Sequence, residues 1–343
     1  MSTFIEKEEP KERDPKIRFR TLKQIVSYEP PENELLVGDS HIIKGEAFVI
    51  GGPPGVGKSR SATELAMCGV TGDSWFGEKI HTPFKTMIIQ NENGPRRLMQ
   101  EYRERANIDK ANDSIWISEP PPFGLSFGDK AFVEDLQESV DIFEPDLVII
   151  DPWNAVAAGD GQRDYAEAFA RILSILPKGK DKPALGIVAH TRKPRPDEVR
   201  TGGSAMLHLL SGSLILGSVP RSAFIMLPAN EVDETDRHRI WFNPKNNNGL
   251  ESPRSVWRLS ESGFSQAKGF DWDQFDEGPK RRQTMTEENI REALSEALDR
   301  KGAISRLMDA SGLGQRACEI ALEEEGKFSH LFEITDDGYY QLK

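Results

Sequence analysis

Through the first two hundred residues, short apolar runs alternate with longer segments whose apolar residues recur every three or four positions. The runs are Ala47 to Ile50, Lys85 to Glu92 with a polar end, Ile115 to Ile117, Leu147 to Asp151, and Ala184 to Ala189, which stops at His190. Between them, Arg60 to Met67, Arg96 to Ala106, Lys130 to Phe143 and Tyr165 to Leu176 have helical composition. In the third of these, Phe132, Val133, Leu136, Val140 and Phe143 mark one face. Strands apolar along their whole length, alternating with helices of this size, predict an α/β chain: a mostly parallel sheet with helices on both faces.

Past Thr191 the pattern changes. A polar loop, Arg192 to Gly203, precedes an apolar helical segment from about Ala205 to Leu216. Three β-like runs follow, Ala223 to Leu227, Arg239 to Phe242 and Val256 to Leu259. Their short connections predict antiparallel hairpins finishing the sheet, with Asn243 to Gly249 as the strongest turn signal. After a Gly-, Asp-, Lys- and Arg-rich stretch come three helical patterns and two short runs flanking Asp337-Gly338, a hairpin signature. Three helices and a hairpin resemble a winged helix. The expected division is a charged, disordered arm over 1–20, an α/β domain over 21–265, a linker over 266–283 and a small α+β, winged-helix-like domain over 284–343.

The chemistry centres on Gly52-Pro53-Pro54-Gly55-Val56-Gly57-Lys58-Ser59, a full match to the Walker A spacing between an apolar strand and a helix. Glycines without a Cβ let successive backbone N–H groups close on a phosphate at a helix N-terminus. Lys58 supplies a charge for the β- and γ-phosphates, Ser59 a hydroxyl for Mg²⁺, and Arg60 opens the helix behind them. Asp151 ends four apolar residues, the Walker B arrangement, where a carboxylate can hold Mg²⁺ through water. Glu92 ends the strand after the Walker A helix and is a candidate to orient and deprotonate an attacking water, or else a solvated strand-end carboxylate. His190 is a candidate γ-phosphate sensor or a structural histidine.

Composition narrows the partners. The chain has 343 residues and a formal net charge of −12, so bulk electrostatic wrapping of nucleic acid is excluded and any such contact is local. The one local basic patch is the loop carrying Arg192, Lys193, Arg195 and Arg200. No apolar run approaches a membrane span and the charged beginning lacks a signal-peptide core, so a cytoplasmic location is expected. Cys68 and Cys318, far apart and without metal-ligand spacing, read as packing residues. Residues 284–343 hold 13 Asp/Glu against 7 Lys/Arg, which favours a protein contact over duplex DNA there.

Walker A, Glu92, Asp151 and His190 are spaced as in RecA-like ATPases. More narrowly the chain resembles the RepA-like family of hexameric replicative helicases, with an AAA-type ATPase domain. The similarity rests on Asp151-Pro152-Trp153, on Arg200 to Ala205 and on Lys245 to Gly249, and spans about Thr21 to Leu259. It implies ATP and Mg²⁺ as cofactors, Glu92 as general base, His190 as γ-phosphate sensor and Lys245 as a cation reaching a neighbouring subunit's site. It also implies a homo-oligomer, a hexamer in this family, acting on single-stranded DNA. Asn247 stands where ring helicases often carry a finger arginine, leaving Arg200, Arg221 or Arg254 to substitute. Two alternatives stay open: a DNA-stimulated ATPase that loads or remodels a replication complex, and a nucleotide-gated regulator without turnover.

Overall fold

The computed structural model describes residues 19–343 apart from 104, 106, 157–160, 178–181, 211–214, 231, 232, 234 and 278–284. The expected arm over residues 1–20 lies almost entirely outside these. The chain divides into two compact units between Phe270 and Asp271.

In the first unit, β1 (Leu35–Val37) and β2 (Ile42–Ile43) form a small antiparallel pair. The main sheet is built from β3 (Ala47–Gly52), β4 (Thr86–Gln90), β5 (Ile115–Ile117), β6 (Leu147–Asp151), β7 (Ala184–His190), β8 (Ser222–Pro228), β9 (His238–Asn246), β10 (Ser255–Ser260) and β11 (Gly263–Gln266). Its order is β11-β10-β9-β8-β3-β7-β6-β4-β5. From β8 through β5 neighbouring strands run parallel; β8 to β11 are joined antiparallel. The expected α/β class, with a mostly parallel sheet finishing in antiparallel strands around a P-loop, is the observed one.

Both faces of the sheet are apolar because both are covered. Phe48, Ile50, Leu147 and Ile149 pack on the Walker A helix, Lys58–Thr71, through Ala62, Leu65 and Ala66. Val49, Val148, Ile150 and Ile187 pack on the opposite face against helices Lys130–Phe143 and Gln162–Ile175. Period-two alternation thus sends successive residues into two cores, and the strands read as unbroken apolar runs. Asp129 caps the first of those helices by accepting from the Phe132 N–H at 2.9 Å.

Two differences from the sequence reading have clear causes. Asn243 to Asn246 is strand, not turn: β9 continues to Asn246, and the turn begins after it. Pairing Ala223 with Lys245 but Ile225 with Phe242 sets two residues of β9 against one of β8, a bulge that takes up Pro244. The buried Asn243 amide is satisfied inside the sheet, donating to the carbonyls of Ala223 at 2.9 Å and Lys245 at 3.0 Å. The loop after Thr191 holds a short helix, Pro196–Thr201, and the apolar segment beyond is a 3₁₀ turn, Gly203–Leu209, and a helical turn, Ile215–Ser218.

The second unit, described by itself, has helices Trp272–Glu277, Glu287–Ala293, Arg300–Ser311 and Gln315–Ala321, then the hairpin of β12 (Phe332–Ile334) and β13 (Tyr340–Leu342). Helix Trp272–Glu277 falls in the stretch read as linker; 278–283 of that stretch lies outside the described residues. Ile290, Leu294, Leu307, Cys318, Leu331 and Phe332 form its core. Both cysteines are buried and unbridged, and burial pushes the Cys68 thiol up to about 12, which fits packing rather than chemistry. No helix among the described residues is long and apolar enough to cross a membrane.

Candidate nucleotide site

Register assembles the site. At the carboxyl ends of the parallel strands, Gly52 pairs with His190 and Gln90 with Asp151, with β7 and β6 adjacent. Four sequence-distant strand ends therefore open onto one crevice, the position where open α/β sheets bind ligands. A cavity of about 1150 Å³ lies there, bounded by Pro54, Gly55, Gly57, Lys58, Ser59, Arg60, Glu92, Asp151 and His190, and on its far side by Arg258 and Glu261.

The loop between β3 and the Walker A helix has the backbone that the motif requires. Gly57, the residue before the helix, sits at φ 113°, and a Cβ there would lie 3.1 Å from the Phe264 ring. The β10–β11 hairpin thus packs directly on the loop. Arg60 donates to the Ser260 carbonyl at 2.6 Å, tying the same hairpin to the helix instead of reaching forward. Pro53 accepts from the Lys58 ammonium at 2.9 Å, and Val56 is buried, turning its side chain into the core.

Lys58 also stands 3.2 Å from Nδ1 of His190. Burial lowers the lysine to about 8 against the pull of Asp151 and Glu92, and burial with the nearby Lys58 charge lowers His190. A neutral imidazole is the form that accepts from an ammonium, so the two shifts agree with the contact. Asp151, 5% exposed, is pushed up to about 6, chiefly by burial and with Glu92 adding, while its hydrogen bond to Ser59 pulls the other way.

Mg²⁺ takes hard oxygen ligands and retains several waters. Asp151 and Ser59 provide a carboxylate and a hydroxyl in mutual contact, and the destabilised Asp151 charge is one that a cation would relieve. These residues fit the ion and would hold it. Among the described residues no three carboxylate, histidine or cysteine side chains form a complete metal cage, consistent with an ion sharing its shell with phosphates and water.

Glu92 reaches this cavity because of a residue that the sequence reading passed over. The Gln90 side-chain oxygen accepts from the Glu92 N–H at 3.1 Å and the Asn93 N–H at 2.7 Å, and its nitrogen donates to the Asn93 carbonyl at 3.0 Å. The turn carrying Glu92 is folded around that amide. A polar residue at the end of an apolar strand was the only available signal. His190 is likewise placed from behind: Asn154, just after Asp151, accepts its backbone N–H at 3.2 Å, and Trp153 anchors the segment by stacking on Tyr165.

Arg239 was missed altogether, since an arginine in a strand reads as a surface residue. It is 7% exposed and donates Nε to the Val56 carbonyl at 3.0 Å and Nη1 to the carbonyls of Asp236 and His238, both at 2.9 Å.

The remaining candidates do not enter this cavity. Arg192 makes two bonds to Glu198, at 2.9 and 2.6 Å, and Arg195 joins the same carboxylate at 3.1 Å, which holds it well below the usual range. Lys193 lines a separate cavity of about 390 Å³ behind the Walker A loop. Arg200 offers its carbonyl to Arg254 at 3.4 Å. Lys245 and Arg221 lie at the other end of the sheet, because Lys245 pairs with Ala223 and the Arg221 N–H bonds Ala47, the first residue of β3. There the Lys245 ammonium donates to Gly217 and Ser218 carbonyls at 2.8 and 3.2 Å, and Arg221 to Asn248 at 3.4 Å.

No curated protein sequence matches the chain. Among solved structures, a KaiC-like protein from the hyperthermophilic archaeon Pyrococcus horikoshii OT3 aligns at 14% identity with a TM-score of 0.47, covering 70% of this chain and 99% of its own. The RadB recombinase aligns at 17% identity with a TM-score of 0.45, covering 66% and 92%. A family model described as AAA domain matches residues 11–196, more than half of the chain and the segment that contains the Walker A loop, Glu92, Asp151 and His190. By that match, the chain belongs to the AAA domain family.

Proposed function

We propose that the protein is an Mg²⁺-dependent ATPase of RecA-like type that works as an oligomeric, helicase-type motor on single-stranded DNA. The observation carrying the hydrolytic part is the convergence of Lys58, Ser59, Glu92, Asp151 and His190 on one cavity. In this reading Lys58 and the loop N–H groups bind the β- and γ-phosphates, and Ser59 and Asp151 hold the ion. Bound there, Mg²⁺ neutralises charge on the phosphate oxygens. Glu92, steered by Gln90, orients and deprotonates the attacking water. His190 exchanges its contact with Lys58 for one to the γ-phosphate, and so passes the nucleotide state to the Arg192 to Gly203 segment that follows it.

The oligomeric part is supported by the position of Lys245 and Arg221. At the end of the sheet away from their own Walker A loop, they can serve a nucleotide only in a site presented by another copy, across a head-to-tail contact. Both lie outside the matched stretch, as do Arg200 and Arg254. The acidic second unit, read as winged-helix-like, is proposed to contact a protein partner.

One observation favours the second reading, an ATPase that loads or remodels a complex: Glu198 occupies both Arg192 and Arg195, leaving that segment less charge for DNA. ATP turnover measured with and without single-stranded DNA, followed by strand displacement, tests both. Stimulation with unwinding supports the motor, stimulation without unwinding the loader. No turnover with intact ATP binding would overturn both and leave a nucleotide-gated regulator.

A further inference from the structure

Glu101 is a carboxylate that the roles assigned above leave unused. It stands on helix Pro95–Tyr102, in the wall of the nucleotide cavity, and is 7% exposed. Its Oε2 faces Arg97 Nη2 at 3.4 Å, while Oε1 is sealed from solvent with no hydrogen-bond partner. A buried carboxylate oxygen left without a donor is costly, so a donor arriving with the ligand would be used there. The helix is fixed against the first turns of the Walker A helix: Tyr102 bonds Thr63 at 3.3 Å and Arg105 pairs with Glu64 at 2.8 Å. Its position is therefore set by the same element that carries Ser59. Glu101 also lies within electrostatic reach of both Asp151 and Arg60.

Arg60 turns Nη1 to the Ser260 carbonyl, and Arg97 faces the other oxygen of Glu101. Phosphate oxygens cannot donate. What serves an orphan carboxylate in the wall of the cavity that holds Asp151 is a cation with bound water, whose hydrogens are strong donors and whose charge relieves Asp151.

We propose that Glu101 is an outer-shell positioning residue for the divalent ion, its carboxylate turning when nucleotide binds to accept a hydrogen bond from a water of the Mg²⁺ that Ser59 and Asp151 hold. The residue sets how tightly the nucleotide-bound ion is kept and touches neither the phosphates nor the attacking water. This rests on the ATPase reading.

The test is binding of a fluorescent non-hydrolysable ATP analogue, first in EDTA and then titrated with Mg²⁺. Glu101→Gln should keep the wild-type affinity in EDTA and need about tenfold more Mg²⁺ to reach the tight-binding state. An unchanged Mg²⁺ midpoint would overturn the proposal. So would an equal loss of affinity with and without the metal, which marks a contact to the ribose or base. Wild-type protein that binds no nucleotide would instead overturn the ATPase reading itself. If Glu101→Gln gives no cooperative melt, Glu101→Asp takes its place. The shortened carboxylate should still raise the Mg²⁺ midpoint, and a wild-type midpoint would again sink the idea.

Discussion

Arg239 holds the underside of the phosphate loop, donating Nε to the Val56 carbonyl at 3.0 Å from a strand 183 positions further along the chain. With Val56 fixed from below, the loop is held against the sheet that carries Arg239. Arg239→Gln would leave a buried carbonyl without its charged donor, a loss of about 2 kcal/mol for a hydrogen bond to an ionised group. The expected result is a lower melting temperature together with weaker ATP binding. A variant that melts lower yet binds ATP with wild-type affinity would make Arg239 a purely structural residue.

Asp151 gives a pH signature to the nucleotide-free protein. Its carboxyl sits at about 6 in the fold against 3.8 ordinarily, so between those values the folded chain holds more protons than the unfolded one. Stability then falls as pH rises from 4 to 6, by about 3 kcal/mol for a shift of about two units. His190, lowered from 6.5, acts in the opposite sense nearer its own ordinary value. Comparing melts of wild type and Asp151→Asn isolates the aspartate. The variant should lose the decline, melt higher at pH 7 without nucleotide, and no longer gain stability from Mg²⁺ with nucleotide. Equal melting curves for the two proteins would refute this.

Gln90 acts on the chemistry without touching it. Removing its amide with Gln90→Ala frees the Glu92 and Asn93 N–H groups from their acceptor. Misplacing a reacting group by about 1 Å costs on the order of 10²-fold in rate. We expect kcat to drop by about that factor with KM near wild type. Glu92→Gln should lower kcat as far or further, and the double variant should be no worse than Glu92→Gln alone. A raised KM with normal kcat would show that Gln90 serves binding instead.

Lys245 offers a test of action between subunits. Alone, Lys245→Ala and Lys58→Ala should each be inactive in ATP turnover. Mixed, they rebuild interfaces in which an intact Walker A loop meets an intact Lys245, about a quarter of all contacts in random head-to-tail assembly. Recovery to about that share of wild-type turnover is expected. No recovery on mixing, with assembly confirmed by mass, would rule out the trans role.

The sequence by itself determined the phosphate loop and the strand ends around it. Gly52 to Ser59 needs its glycines in order, and Asp151 and His190 each follow a run that both sheet faces bury, so polarity returns only where the strand leaves the core. Such features are local, and periodicity reports them. Tertiary structure decided what stands beside what. Insertion of β7 between β3 and β6 brought His190 to Lys58, and the antiparallel return of β9 set Arg239 beneath the loop and Lys245 at the far end of the sheet. It decided too that Asn243 to Asn246 pairs as strand, a bulge absorbing Pro244 against its turn preference. The physical reason is the same in each case. Hydrophobic pattern states that a residue is buried, but strand order and register, fixed by contacts between distant segments, choose its partner.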